Sequence, residues 1–223
     1  MEYTLPIFYA ALFVLAAIAL YAAVSQEKER RAAFAQAAAR LGMRFELRAD
    51  ALIEEYGALP LFGQGHSRRV TNVLRDGGGD RPASVFDYQY TVGTGNSSTT
   101  HRQTVAVFRF PDLSLPSFTL EPEGALQRLA ELFGYQDVDF ERHPGFSRAY
   151  CLRGKDAEAM RRLFQPTLLA HLQQMTGWHV EGYADRLAVY RGGQRVKPEA
   201  VFTFVEGTAR VAQLFREAAG IGR

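Results

Sequence analysis

Residues that could carry chemistry are scattered along this chain and do not form a recognisable motif. Metal binding and acid–base catalysis both favour histidine, yet no two histidines have the i, i+4 spacing that would place them together on a helix face. The sequence therefore predicts no metal site and no cofactor, and we interpret these side chains as surface or capping residues. The five histidines are His66, His101, His143, His171 and His179.

Two other residue types could act in catalysis. Asp87 lies in an alternating aromatic segment, on the face opposite Tyr88 and Tyr90, which favours a solvent-facing or cross-strand hydrogen-bonded carboxylate over an acid–base group. Cys151 lies in a strand pattern, where a cysteine usually acts as a small apolar side chain. No Gly-x-Ser-x-Gly elbow, P-loop lysine or zincin helix occurs. The sequence thus predicts no catalytic residue, and an enzyme would have to use Asp87, His101 or Cys151.

A basic cluster offers the best candidate for binding. His66, Arg68 and Arg69 are close in sequence, Arg75 follows them, and guanidinium groups bind phosphate or carboxylate oxygens well. These four residues are the candidates for contact with an anion or a partner. The default interpretation is that they are solvated loop charges.

The glycine-rich segment at residues 93–100 also invites a binding role. Phosphate-binding glycine loops join a strand to a helix and use the helix N-terminus. Here alternating segments at 84–92 and 102–110 flank the loop on both sides, which predicts a β-hairpin loop instead.

The strand and helix patterns that surround these residues predict an α+β fold, with an antiparallel sheet packed against amphipathic helices. The sheet face that carries Phe86, Tyr88 and Tyr90 is expected to pack against helices, including the long amphipathic one at 198–219. Residues 118–120 are expected to form a short edge strand, because Pro122 does not suit a central one.

An uncharged apolar run at residues 5–24 precedes this domain. A helix rises about 1.5 Å per residue, so a run of about 20 residues matches a hydrocarbon core about 30 Å thick. A cleaved signal peptide needs a shorter run after positive charge, and a buried helix seldom lacks a polar face for five turns. The sequence predicts a transmembrane anchor at 1–25, a connecting helix at 26–42 ended by a glycine, and a domain at 43–223.

Charge and composition indicate where the domain lies and which kinds of partner it has. Lys28, Arg30, Arg31 and Arg40 follow the apolar run and no basic residue precedes it, so the positive-inside rule predicts a cytoplasmic domain. The net charge of +2 does not favour nucleic acid, and a single cysteine excludes an internal disulfide. The expected partners are the lipid bilayer, through residues 5–24, and a protein in a membrane complex.

Four segments of the domain resemble a family of uncharacterised bacterial proteins that have one N-terminal membrane helix and a cytoplasmic α+β domain. The resemblance implies a bacterial, membrane-anchored protein, and its motifs consist of turn and core residues, so it assigns no catalytic residue. The segments are residues 86–91, 103–105, 115–123 and 150–164.

Taken together, the sequence predicts a single-pass protein of the inner membrane whose cytoplasmic domain is an interaction or accessory module without catalytic activity. The alternative is a membrane-associated enzyme whose active site is assembled only by the fold.

Overall fold

The computed structural model of the chain describes residues 4–76, 83–124 and 134–220. The sequence also predicts a helix at 124–133 and a turn at 76–80, and most of both lies outside these ranges. Within them the fold is α+β with a large antiparallel sheet, as the sequence predicted.

The sheet has nine described strands in the order β1-β2-β3-β4-β9-β8-β5-β7-β6. The hairpin of β8 and β9 inserts between β4 and β5, so two sequential halves of the chain share one sheet. The strands are β1 Arg44–Arg48, β2 His66–Arg75, β3 Ala83–Val92, β4 Thr99–Arg109, β5 Leu115–Pro122, β6 Gln136–Asp137, β7 Tyr150–Gly154, β8 His179–Ala184 and β9 Arg186–Tyr190.

Particular residues mark the ends of several helices. α1 ends before Gly42, whose φ of +67° suits glycine. Asp156 caps α5 by accepting a hydrogen bond from the Ala159 amide at 2.9 Å, and Pro166 opens α6. The helices are α1 Thr4–Leu41, α2 Ala51–Glu55, α3 Pro60–Gly63, α4 Pro144–Ala149, α5 Ala157–Leu163, α6 Pro166–Gln174 and α7 Val201–Ala218.

The sheet has a hydrophobic core on each face. On the first face, the C-terminal half of α1 and helices α4–α7 pack against the sheet. On the second face, α2 and α3 cover Phe86, Tyr88 and Tyr90. The expectation that these three rings meet the C-terminal helix is therefore wrong, because α7 packs on the opposite face.

Two predicted strand positions are also corrected. Residues 118–120 belong to β5, which lies between β8 and β7 and not at an edge. Pro122 is tolerated because it is the last residue of that strand. The segment from His66 to Arg69, predicted as loop, forms the first part of β2.

The predicted N-terminal anchor lies in the first half of α1. Within the described part of the chain, no helix combines the length and the apolar character that crossing a bilayer requires. The transmembrane span predicted at residues 5–24 is thus not confirmed; the side chains of residues 5–7, 10 and 11 lie outside the description.

Candidate functional site

Helix α1 has two halves with different surroundings. It is 38 residues long, which corresponds to about 57 Å. Every described side chain from Phe8 to Val24 is exposed, with Phe13 and Tyr21 each 77% accessible. From Arg30 onward, one stripe of the same helix is buried against the sheet, including Phe34, Ala37 and Ala38. The domain therefore holds the C-terminal half of α1 and leaves the apolar N-terminal half uncovered.

A buried ion pair fixes α1 to the sheet. Arg30 Nε and Nη2 donate to the two carboxylate oxygens of Asp87 at 2.5 Å each, and both side chains are about 95% buried. Thr104 on β4 donates its hydroxyl to Asp87 at 2.9 Å. Of the two environments predicted for Asp87, the structure shows the cross-strand hydrogen-bonded one. The carboxylate does not face solvent. It holds a helix and is not placed for acid–base chemistry.

The same network extends to the chain after β9. Arg30 Nη1 donates to the carbonyl of Val196, and the Val196 amide donates to Thr104 Oγ1 at 2.9 Å. Arg195 pairs with Glu27 of α1 at 3.2 Å. A bulge in β2 gives Asn72 a φ of +51°, and its side-chain amide bridges Glu27 and Asp87. The loop at 191–197 is therefore locked to α1.

This loop, α6, α7 and the open end of the β8–β9 hairpin enclose a groove. It consists of two cavities, of about 500 and about 310 Å³, which share Trp178, Arg191 and Gly207. Trp178 precedes β8 and Arg191 follows β9, so the pairing of His179 with Tyr190 brings them together. We call this the Trp178 groove. Its volume falls within the usual range for small-molecule sites, roughly 300–1,000 Å³.

Aromatic rings and cations line the Trp178 groove. Trp178 stacks on Phe204 with ring centroids 5.7 Å apart, and the Arg191 guanidinium lies 4.8 Å from the Trp178 centroid. Lys197 and Arg210 line the two cavities as well, and no aspartate or glutamate is among the described lining residues. The larger cavity is thus mainly apolar inside, and the margin of the groove is positively charged.

Gly207 keeps the two cavities open. It lies in the interior of α7, where glycine costs about 1 kcal/mol relative to alanine. A Cβ added there would meet no atom within 4 Å, so packing does not demand glycine. The missing side chain leaves space where the two cavities meet.

The predicted anion-contact residues are not gathered into one site. His66 and Arg75 lie at opposite ends of the ten-residue strand β2. Arg68 is occupied by the carbonyls of Gly63, Gln64 and Gly65, and Arg75 lies 3.9 Å from Glu46. His66 contacts the carbonyl of Gly93 at 2.9 Å, and Arg69 is exposed. Their contact with an anion or partner stays a prediction.

The alternative catalytic candidates are also far apart. His101 pairs in register with Tyr90 and contacts its ring in a tilted arrangement, with centroids 5.1 Å apart, on the face opposite Asp87. Cys151 lies on β7, four strands from β4 in the sheet order, and burial raises the pKa of its thiol to about 11. At neutral pH this thiol is protonated and a poor nucleophile. Among the described residues, no group of three His, Cys, Asp or Glu side chains is placed to hold a metal ion.

One fully buried carboxyl was not foreseen. Glu181 on β8 accepts hydrogen bonds from the Leu61 amide at 3.0 Å and the Tyr190 hydroxyl at 2.7 Å. Burial raises its pKa to about 7. It ties α3 to the sheet, and it does not line the Trp178 groove, so we assign it a structural role.

The fold has a solved counterpart. The chain is similar in structure to the mycobacterial trehalose monomycolate transport factor A, TtfA. The TM-score is 0.60 at 10% identity, over 85% of this chain and 93% of that one. At this identity the likeness concerns the fold alone. No protein-family model and no curated protein matches the sequence, so the resemblance to a bacterial membrane-anchored family stays a prediction.

Sequence reasoning missed the Trp178 groove. One signal was present: Thr203, Phe204 and Gly207 lie at helical spacing on one face of α7, and a helix-interior glycine there needs a reason. The other walls come from distant segments, and only the strand register brings Trp178 and Arg191 to that helix.

Proposed function

We propose that this protein is a membrane-tethered cytoplasmic accessory module that binds a ligand or partner and does not catalyse a reaction. The observation that carries this proposal is the division of α1. Its apolar half is exposed along all described positions, while its other half is fastened to the domain by the buried Arg30–Asp87 pair. In this proposal the apolar half inserts into the inner membrane as a single-pass anchor.

Exposure of this size needs a cover. Contiguous apolar patches on monomeric soluble proteins rarely exceed a few hundred Å². Side chains such as Phe13, Leu15 and Leu20 are each at least 65% accessible, and they surround the whole helix, not one face. A protein partner usually covers one stripe of a helix, whereas lipid surrounds it. The bilayer is therefore the proposed environment of residues 5–24.

The charge distribution supports the orientation. Lys28, Arg30 and Arg31 follow the apolar half directly, which by the positive-inside rule favours a cytoplasmic domain. The role of the domain is then binding, because the Trp178 groove is a built recess and the catalytic candidates Asp87, His101 and Cys151 do not converge.

A flotation experiment tests this proposal on the full chain. We expect the protein to float with bilayer vesicles through a density gradient and to resist extraction at alkaline pH. Replacing Leu15 and Ile18 with arginine should abolish flotation, since each arginine near the bilayer centre costs about 2.5–3.5 kcal/mol. The matched control replaces Ala32 and Ala39, exposed on the domain half of α1, with arginine.

The control variant should float like the unmodified chain. If the Leu15 and Ile18 variant floats equally well, or if the unmodified chain stays at the bottom of the gradient, the proposal is wrong.

A further inference from the structure

The Trp178 groove combines three features that together specify a ligand class. The first is an apolar interior. Phe204 is only 8% exposed, and it stacks beneath Trp178 with Val196 and Ala200 beside it. Met175 lines the adjoining cavity. The other walls of that cavity include His171, Gln174, Thr176 and Arg210, so the apolar recess is the larger cavity up to the space above Gly207. A recess of this kind suits an unbranched hydrocarbon chain.

The second feature is unpaired positive charge. Arg191, Lys197 and Arg210 line the groove, and within the described ranges no carboxylate forms an ion pair with any of them. Lys197 and Arg191 are exposed at the larger cavity. Charge complementarity therefore calls for an anion at this end of the ligand.

The third feature is the position of the groove along α1. Val196 lines the groove and its carbonyl binds Arg30, which follows Val24 by six residues. At about 1.5 Å per residue, Arg30 lies about 9 Å beyond the end of the apolar run. If that run is in the bilayer, the groove is next to the cytoplasmic leaflet.

We infer that the Trp178 groove binds a single-chain anionic amphiphile from the adjacent leaflet. The hydrocarbon chain lies against Trp178 and Phe204, and the carboxylate or phosphate head contacts Arg191 and Lys197. This inference rests on the proposed function, because the anchor brings the groove to the lipid.

Trp178 provides the measurement, since it is the only tryptophan of the chain. The full chain is placed in nanodiscs of zwitterionic lipid and titrated with stearic acid brominated in mid-chain, whose bromine atoms quench tryptophan at short range. The comparison ligand is the matching brominated alcohol, which lacks the negative charge. We expect saturable quenching by the acid and at least about tenfold weaker binding of the alcohol, as loss of charge-assisted hydrogen bonds implies.

Two variants test the site. Gly207→Leu fills the groove on a helix that accepts leucine more readily than glycine, so it should abolish quenching without unfolding the domain. Its matched control is Ala209→Leu, an exposed position of the same helix that does not line the groove. Replacing Arg191 and Lys197 together with glutamine should weaken binding of the acid at least about tenfold, whereas the same change at Arg161 and Arg162 of α5 should leave it unchanged.

Equal quenching by the alcohol, or undiminished quenching in Gly207→Leu, would overturn the inference. Incorporation of the chain into nanodiscs reports separately on the proposed function. A chain that enters nanodiscs but shows no saturable quenching would also overturn the inference, while leaving the proposed anchor in place.

Discussion

At the scale of single residues, the most consequential feature is the buried ion pair between Arg30 and Asp87. Arg30 and Asp87 lie between α1 and the sheet, where water cannot solvate them. Removing a charged group from water costs several kcal/mol, which only an opposite charge and further hydrogen bonds can offset. Thr104 and Asn72 supply those hydrogen bonds, so the pair is well satisfied.

The Asp87→Ala substitution should therefore be strongly destabilising. It leaves a buried guanidinium without its partner, and such changes typically cost about 3–5 kcal/mol. The control is Asp137→Ala, which breaks the ion pair between Asp137 and Arg153. The distance in that pair is similar, 2.6 Å, but the Asp137 side chain is 61% exposed. That change should cost less than about 1 kcal/mol. Urea unfolding of the full chain in detergent, followed by circular dichroism, measures both; equal losses would contradict the assigned role of Arg30–Asp87.

Glu181 gives a pH dependence with a defined sign. Its usual pKa of 4.5 applies to the unfolded chain, and burial raises the folded pKa to about 7. The folded state therefore holds the proton more tightly. The stabilisation of the folded state by this proton is complete below about pH 4.5 and is lost as the pH rises to about 7. The total change in the free energy of unfolding is on the order of 3 kcal/mol, and no further change from Glu181 follows above that pH.

Glu181→Gln isolates this contribution, because glutamine can still accept from the Leu61 amide and never ionises. Between pH 4.5 and 7 the unmodified chain should lose thermal stability relative to the Glu181→Gln variant. Glu206→Gln, at an exposed position of α7, serves as the control and should run parallel to the unmodified chain. A constant difference between Glu181→Gln and the unmodified chain across this range would show that Glu181 is not the titrating group.

At the scale of elements, the sequence predicted what depends on local pattern. The β3–β4 hairpin and α7 follow from alternation and from helical spacing, and each has the expected bounds within a few residues. Alternation also separated Asp87 from the tyrosine face. It does not say which layer covers a face, so the partner of Phe86 was assigned wrongly.

The order of the strands in the sheet could not be predicted from the sequence for a related reason. β9 pairs with β4 across a separation of more than 70 residues, and nothing local encodes that pairing. Residues 118–120 alternate like any half-buried strand, and their central position depends on β8 returning beside them. The segment from His66 was missed as strand because glycine and polar residues there suggested a loop.

A pair of changes in the β3–β4 hairpin tests its packing. Phe86 is fully buried and stacks on Tyr56 with centroids 6.2 Å apart, so Phe86→Ala should cost about 3–5 kcal/mol. Lengthening the loop between Gly95 and Asn96 by a few glycines should cost under about 1 kcal/mol, because loop-closure entropy grows logarithmically. Thermal unfolding decides; a larger loss for the insertion would mean that the loop has a binding or packing role.

At the scale of the whole molecule, α1 connects a proposed membrane environment to a groove built from the far end of the chain. The apolar run was evident in the sequence because it is contiguous. The Trp178 groove was not, since its walls come from residues 104, 171–178, 191–197 and 200–210. What joins the two is the Arg30–Val196 contact, which only the folded chain contains.

The most direct test of membrane tethering is the depth of α1 in a bilayer. In the full chain, Cys151 is replaced by serine, and single cysteines at Leu15 and at Glu29, both exposed, carry a spin label. The proposal predicts that in bilayer vesicles the label at 15 is accessible to oxygen and shielded from a water-soluble nickel chelate, while the label at 29 shows the reverse. Equal accessibility of both labels to the nickel chelate would contradict a membrane position for the N-terminal half of α1.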